Sequence, residues 1–141
     1  MKKTFSIFLL FGILFLTINA SDAVVKSYDK YGKKTGSYHK TLSGFNSYDK
    51  NNSKAAVYRK ISNGYNKYDK YGSKTNSYRK TSVGYNEYDK YGKKTSSYRT
   101  NSNGITAKYD KYGRKTGSYK ISSSGQVIEY DKYGRKIGSY K

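Results

Sequence analysis

After residue 23 the aliphatic residues are few and scattered among polar ones, and the side chain that recurs is tyrosine. A Tyr-Asp-Lys phrase opens at Tyr28, Tyr48, Tyr68, Tyr88, Tyr109 and Tyr130, in steps of 20, 20, 20, 21 and 21 residues. A fixed period in this range signals a stack of equivalent units. In the last unit, Gln126–Tyr130 is β-prone, Asp131-Lys132-Tyr133-Gly134 carries turn chemistry, and residues 135–141 form a second β-prone run. This pattern predicts one β-hairpin per repeat. The Asp accepts backbone N–H bonds at the first turn position, and the Gly supplies a positive φ at the fourth, giving a type I turn followed by a bulge.

The structural turn residues on this reading are Asp29 and Gly32, Asp69 and Gly72, Asp89 and Gly92, Asp110 and Gly113, and Asp131 and Gly134. The second unit has Asp49-Lys50-Asn51-Asn52 instead, so Asn51 or Asn52 must supply the left-handed conformation. Gly44, Gly64, Gly84, Gly104 and Gly125 mark a reversal at the other end of each unit. Turns at both ends make an up-and-down antiparallel meander of roughly eleven strands. The fold class expected is all-β: antiparallel hairpin repeats in an elongated meander or β-solenoid, with curling into a solenoid or a barrel as the way to cover one face. The residue two before each closing Tyr is small: Gly36, Ala56, Asn76, Ser96, Gly117 and Gly138. Placing Gly138 opposite Ile128 puts Tyr130, Ile128, Gly138 and Tyr140 on one face, where the small residue lets a ring lie across the strand.

Residues 1–23 differ in kind. Lys2 and Lys3 precede an apolar run from Ile7 to Leu16, and small residues follow, with cleavage expected after Ala20 or Ala23. This is the layout of a secretory signal peptide, too short for a membrane span. The expected domains are thus a signal peptide, 1–23, and a repeat domain, 24–141, secreted or periplasmic. With no Cys, no disulfide supports the fold.

Charge sharpens the picture. Lys and Arg number 29 against 9 acids, a net charge of +20, and six of the acids are the repeat Asp. Few aliphatics with high net charge is a pattern of disorder. The 19 tyrosines oppose it, since each buries a large ring and favours strands. Such a charge attracts polyanions. The candidate contacts are the turn lysines Lys30, Lys70, Lys90, Lys111 and Lys132, with Lys50 and the lysines that follow each turn. They form basic ladders along one edge. Arg59, Arg79 and Arg99 form a second ladder. The turn tyrosines Tyr31, Tyr71, Tyr91, Tyr112 and Tyr133 are expected to be exposed beside these cations, where they suit stacking on sugars or bases. Catalysis is not supported. His39 is the only His, there is no Cys, each Asp is explained by its turn, and no phosphate loop is present, so no metal or cofactor is implied.

The string Tyr-Asp-x-x-Gly-Arg, at 109–114 and 130–135, resembles YD-repeat proteins. The longer Tyr-Asp-Lys-Tyr-Gly-Arg-Lys-Thr-Gly-Ser-Tyr is similar to cell-wall-binding (choline-binding) repeats. Both resemblances imply a secreted or surface protein built of hairpin repeats. The wall-binding repeats use Trp and this chain has none, so the architecture is carried over and a choline cage is not. The expected function is an exported, non-enzymatic repeat protein whose Tyr/Lys surface binds anionic cell-envelope polymers or extracellular glycans. The alternatives are a structural or adhesive protein that self-associates through strand edges, and an extracellular nucleic-acid binder, with no specific nucleic acid implied.

Overall fold

The computed structural model describes residues 24–141 and two short strands, β1 (Ile7–Leu10) and β2 (Ile13–Leu16), which pair with each other. The remainder of the expected signal peptide, with both cleavage points, lies outside the described residues. Twelve strands follow: β3 (Val24–Asp29), β4 (Lys34–Thr41), β5 (Gly44–Asp49), β6 (Lys54–Ile61), β7 (Gly64–Asp69), β8 (Lys74–Thr81), β9 (Gly84–Asp89), β10 (Lys94–Thr100), β11 (Thr106–Asp110), β12 (Lys115–Ile121), β13 (Val127–Asp131) and β14 (Lys136–Tyr140).

Each strand pairs antiparallel with the next, and β14 pairs back onto β3, so the hairpin meander closes into a barrel. The expected elongated meander or solenoid is corrected in that respect. A single open sheet leaves one tyrosine face wet, whereas closure covers that face and removes both edges.

The register explains why closure works. In every hairpin the residue before the opening Tyr faces the small residue: Ser27 faces Gly36, Ser47 Ala56, Lys67 Asn76, Glu87 Ser96, Lys108 Gly117 and Glu129 Gly138. The small residue in turn faces the next Asp, as in Gly36 with Asp49, and the seam repeats the step with Gly138 and Asp29. Each repeat therefore advances the ladder by two residues, or twelve once round, equal to the number of strands. A stagger of that size tilts the strands by roughly 35° and makes a barrel roughly 22 Å across. The six hairpins are related by a near-sixfold rotation, so their turns end at one height.

The face assignment made from sequence is corrected by one residue. Gly138 lies opposite Glu129, not Ile128, so Val127, Glu129, Gly138 and Tyr140 face inward while Ile128 and Tyr130 face outward. The bulge falls between Glu129 and Tyr130. At Gly36, Gly117 and Gly138 the missing side chain makes room for the backbone carbonyl of an opening tyrosine on the next strand rather than for a ring. A Cβ on Gly138 would sit 3.4 Å from Glu129 Oε2 and 3.0 Å from the Tyr28 carbonyl.

The core is the ring of closing tyrosines, filled in by Phe45, Ala56, Tyr85 and Val127. Tyr78 and Tyr98 are 0% and 1% exposed. Phe45 stacks on Tyr58 at 4.3 Å. The outer face, by contrast, carries the opening tyrosines among Ser, Asn, Arg and His.

The turn chemistry holds in all six copies. Asp89 Oδ1, for example, accepts from the Tyr91 and Lys93 N–H groups at 2.9 Å, and Gly92 has φ +83°. Asn52 takes the glycine's place in the second unit with φ 63°. Asn52→Ala is therefore expected to lower stability by about 1 kcal/mol, and Asn52→Gly to leave it nearly unchanged, as read from denaturant midpoints. At the opposite end, two-residue turns give way to longer ones at Asn101–Ile105 and Ser122–Gln126, which is where the 21-residue steps insert their extra residue.

Candidate functional site

All six Asp turns lie at one end of the barrel, because each joins an odd-numbered strand to the next even one in the same register. Within residues 29–34, 49–54, 69–74, 89–94, 110–115 and 131–136, sixteen Lys or Arg stand against the six Asp. Each Asp is folded back into its own turn by two backbone bonds. In two turns the Asp also takes an arginine: Arg114 Nε donates to Asp110 at 2.8 Å and Arg135 Nε to Asp131 at 2.7 Å. The backbone N–H of that arginine, above all, holds each of these two carboxyls below the usual range. The remaining basic side chains form a ring.

Five exposed tyrosines alternate with these cations. Tyr31, Tyr71, Tyr91, Tyr112 and Tyr133 are 71–82% exposed, which agrees with the turn position that the sequence gives them. In each case the preceding lysine folds over the ring: Lys30 on Tyr31, Lys70 on Tyr71, Lys90 on Tyr91, Lys111 on Tyr112 and Lys132 on Tyr133, with Nζ 4.8–5.0 Å from the centroid. Cation and ring are thus held as a pair by cation–π attraction. The second unit lacks the Tyr and leaves a gap, where Lys34 Nζ donates to Asn52 Oδ1 at 3.0 Å.

The fold does not bring Arg59, Arg79 and Arg99 to this rim. They face outward on the wall, where Arg59 lies 4.9 Å over Tyr68 and Arg99 5.2 Å over Tyr109. His39 tilts against Tyr48 in the same way at 4.5 Å. A surface depression of about 740 Å³ includes Arg99, Tyr109, Asn86 and Ala107 in its lining.

Sequence reasoning missed the polar interior. The chain's only two glutamates both point inward and bridge the strands on either side of their own. Glu87 accepts from the Tyr78 hydroxyl at 3.1 Å, the Asn76 amide at 3.0 Å and the Tyr98 hydroxyl at 3.3 Å. Glu129 accepts from the Tyr119 and Tyr140 hydroxyls, each at 3.0 Å. Lys67 and Lys108 take the same repeat position in the alternate units, with Nζ 5.9 Å from the Tyr58 ring and 5.6 Å from the Tyr98 ring. Burial pulls the Lys67 ammonium down, and Glu87 opposes that shift. The signal was available in the single repeat column that reads Ser, Ser, Lys, Glu, Lys, Glu. It carries meaning only once that column is known to face the core. Each of these glutamates ties together tyrosines of its two neighbouring strands, so they serve as struts.

No known family model matches this chain, and no curated protein matches it significantly in sequence.

Proposed function

We propose that the protein is exported and acts without catalysis, binding anionic polymers of the cell envelope or an extracellular glycan through the Lys/Tyr rim. One observation carries this reading: a near-sixfold arrangement gathers sixteen basic residues and five exposed tyrosines at one end of a closed barrel. Such repeated weak contacts add into useful affinity. The self-association alternative drew on free strand edges, and the pairing of β14 with β3 leaves none in the barrel.

The test is a titration of the protein against purified cell-wall material across a salt series, with DNA as competitor. Affinity is expected to fall steeply as salt rises, with little displacement by DNA. Lys70→Ala alone is expected to weaken binding less than about threefold, because the turns share the contact. Complete displacement by DNA would reduce the rim to a generic polycation, the nucleic-acid alternative. Absence of binding, with pelleting of the protein alone as salt rises, would favour self-association.

A further inference from the structure

We propose that the rim docks face-on to an anionic lipid surface, a planar partner rather than a linear one. This rests on the reading of the rim as a polyanion-binding face and specifies the form of what it meets. Closure of the barrel is the first ground. An open stack would offer its lysines as a straight track, but here they lie on a ring roughly 22 Å wide, with equivalent residues on neighbouring turns roughly 12 Å apart. A straight polymer crossing that ring meets about two turns at once. A plane meets all six, because the constant two-residue stagger leaves them at one height.

The side chains are the second ground. Each of five turns presents a phenol ring with an ammonium group folded over it, and these rings are the most exposed aromatics in the barrel. Tyrosine concentrates at the membrane–water interface, where its ring sits at headgroup level. A lysine beside it reaches a lipid phosphate while its stem stays against apolar surface. Basic residues near an anionic leaflet add their attractions nearly independently. The aspartates do not oppose this, since each is turned into its own loop by backbone N–H groups. The turns at the opposite end carry no aromatic residue.

The chain contains no Trp, so single substitutions report on either end. Tyr91→Trp marks the rim, and Leu42→Trp marks the far end, where Leu42 is fully exposed. Each variant is mixed with vesicles of phosphatidylcholine plus phosphatidylglycerol, with phosphatidylcholine vesicles, and with DNA as a soluble polyanion. Binding is expected with the anionic vesicles alone among the lipids, with a blue shift of emission for Tyr91→Trp and none for Leu42→Trp. Changing Tyr31, Tyr71, Tyr91, Tyr112 and Tyr133 together to Ser is expected to lower vesicle partitioning about tenfold or more and DNA affinity by less than about twofold. DNA binding without vesicle binding would overturn the lipid partner and leave the rim's polyanion reading intact. Equal binding to neutral vesicles, or a shift confined to Leu42→Trp, would overturn the rim as the docking face. Binding to neither vesicles nor DNA would overturn the lipid partner, and the titration against cell-wall material then decides the polyanion reading by itself.

Discussion

Replacing Gly64 by Ala is expected to cost the barrel more than about 3 kcal/mol, a large share of the roughly 5–15 kcal/mol that holds a domain folded. Gly64 has φ +133°, a region that side chains rarely enter, and a Cβ there would drive into the Tyr78 backbone carbonyl on the adjacent strand. Gly44 and Gly84 repeat the arrangement against the Tyr58 and Tyr98 carbonyls. Relief requires β7 and β8 to separate just where Tyr65 pairs with Tyr78. Gly72 is the control. Its φ is +89°, but the space around it is open, so Gly72→Ala carries only the left-handed backbone cost of about 1–2 kcal/mol. Urea midpoints of the two variants decide the matter. Equal costs would mean that the close approach at Gly64 is relieved cheaply and that φ alone requires glycine there.

The two kinds of glycine also show where sequence reasoning reached and where it stopped. Both were legible as turns, and for Gly72 the reason was right: the Asp69 turn needs a positive φ. For Gly64 a positive φ is only part of the answer, because the close neighbour lies on the next strand and no local pattern reveals it. The same limit governs the faces. Alternation fixes which residues share a side, but the bulge after each inward residue moves the count by one, and a single slip turned Ile128 inward and Glu129 outward. The error hid the glutamates. The choice of a closed barrel over a solenoid was hidden for a related reason. It depends on the stagger summed over six repeats, whereas each repeat shows only its own two residues. The rim was legible because its side chains sit in turns, and a turn is specified by four neighbouring residues. The outer-wall arginines were read as a ladder in the same way. What the sequence did not show is that a tyrosine of the next strand already covers Arg59 and Arg99.

A core built from phenols predicts its own failure in alkali. Burial pushes the Tyr38 and Tyr85 hydroxyls up to about 12. It pushes those of Tyr58, Tyr78, Tyr98, Tyr119 and Tyr140 higher still, with the negative charge of Glu87 or Glu129 adding to the shift. An unfolded tyrosine ionises near pH 10. Above that pH the unfolded chain has released protons that the barrel keeps, so stability is whole below about pH 10 and falls as pH rises through 12 and beyond. Each fully buried phenol contributes about 1.4 kcal/mol per pH unit in that window. The four that are at most 4% exposed, Tyr58, Tyr78, Tyr98 and Tyr119, together give roughly 5–6 kcal/mol per unit. Domain stabilities of roughly 5–15 kcal/mol are consumed within about one to three units. Lysine deprotonation over the same range relieves like-charge repulsion and works the other way, a contribution that added salt suppresses. At high salt the barrel is therefore expected to unfold cooperatively above pH 10, with the tyrosinate absorbance of the buried set and the loss of β ellipticity rising together. Smooth ionisation of all 19 tyrosines with the β signal intact would show that the phenols are not held in a closed core. Glu129→Gln separates the two causes of the shift. It removes the charge and keeps one oxygen, which still accepts one of the two hydroxyls that the Glu129 oxygens take from Tyr119 and Tyr140, so it is expected to lower those two shifts and leave the burial contribution in place.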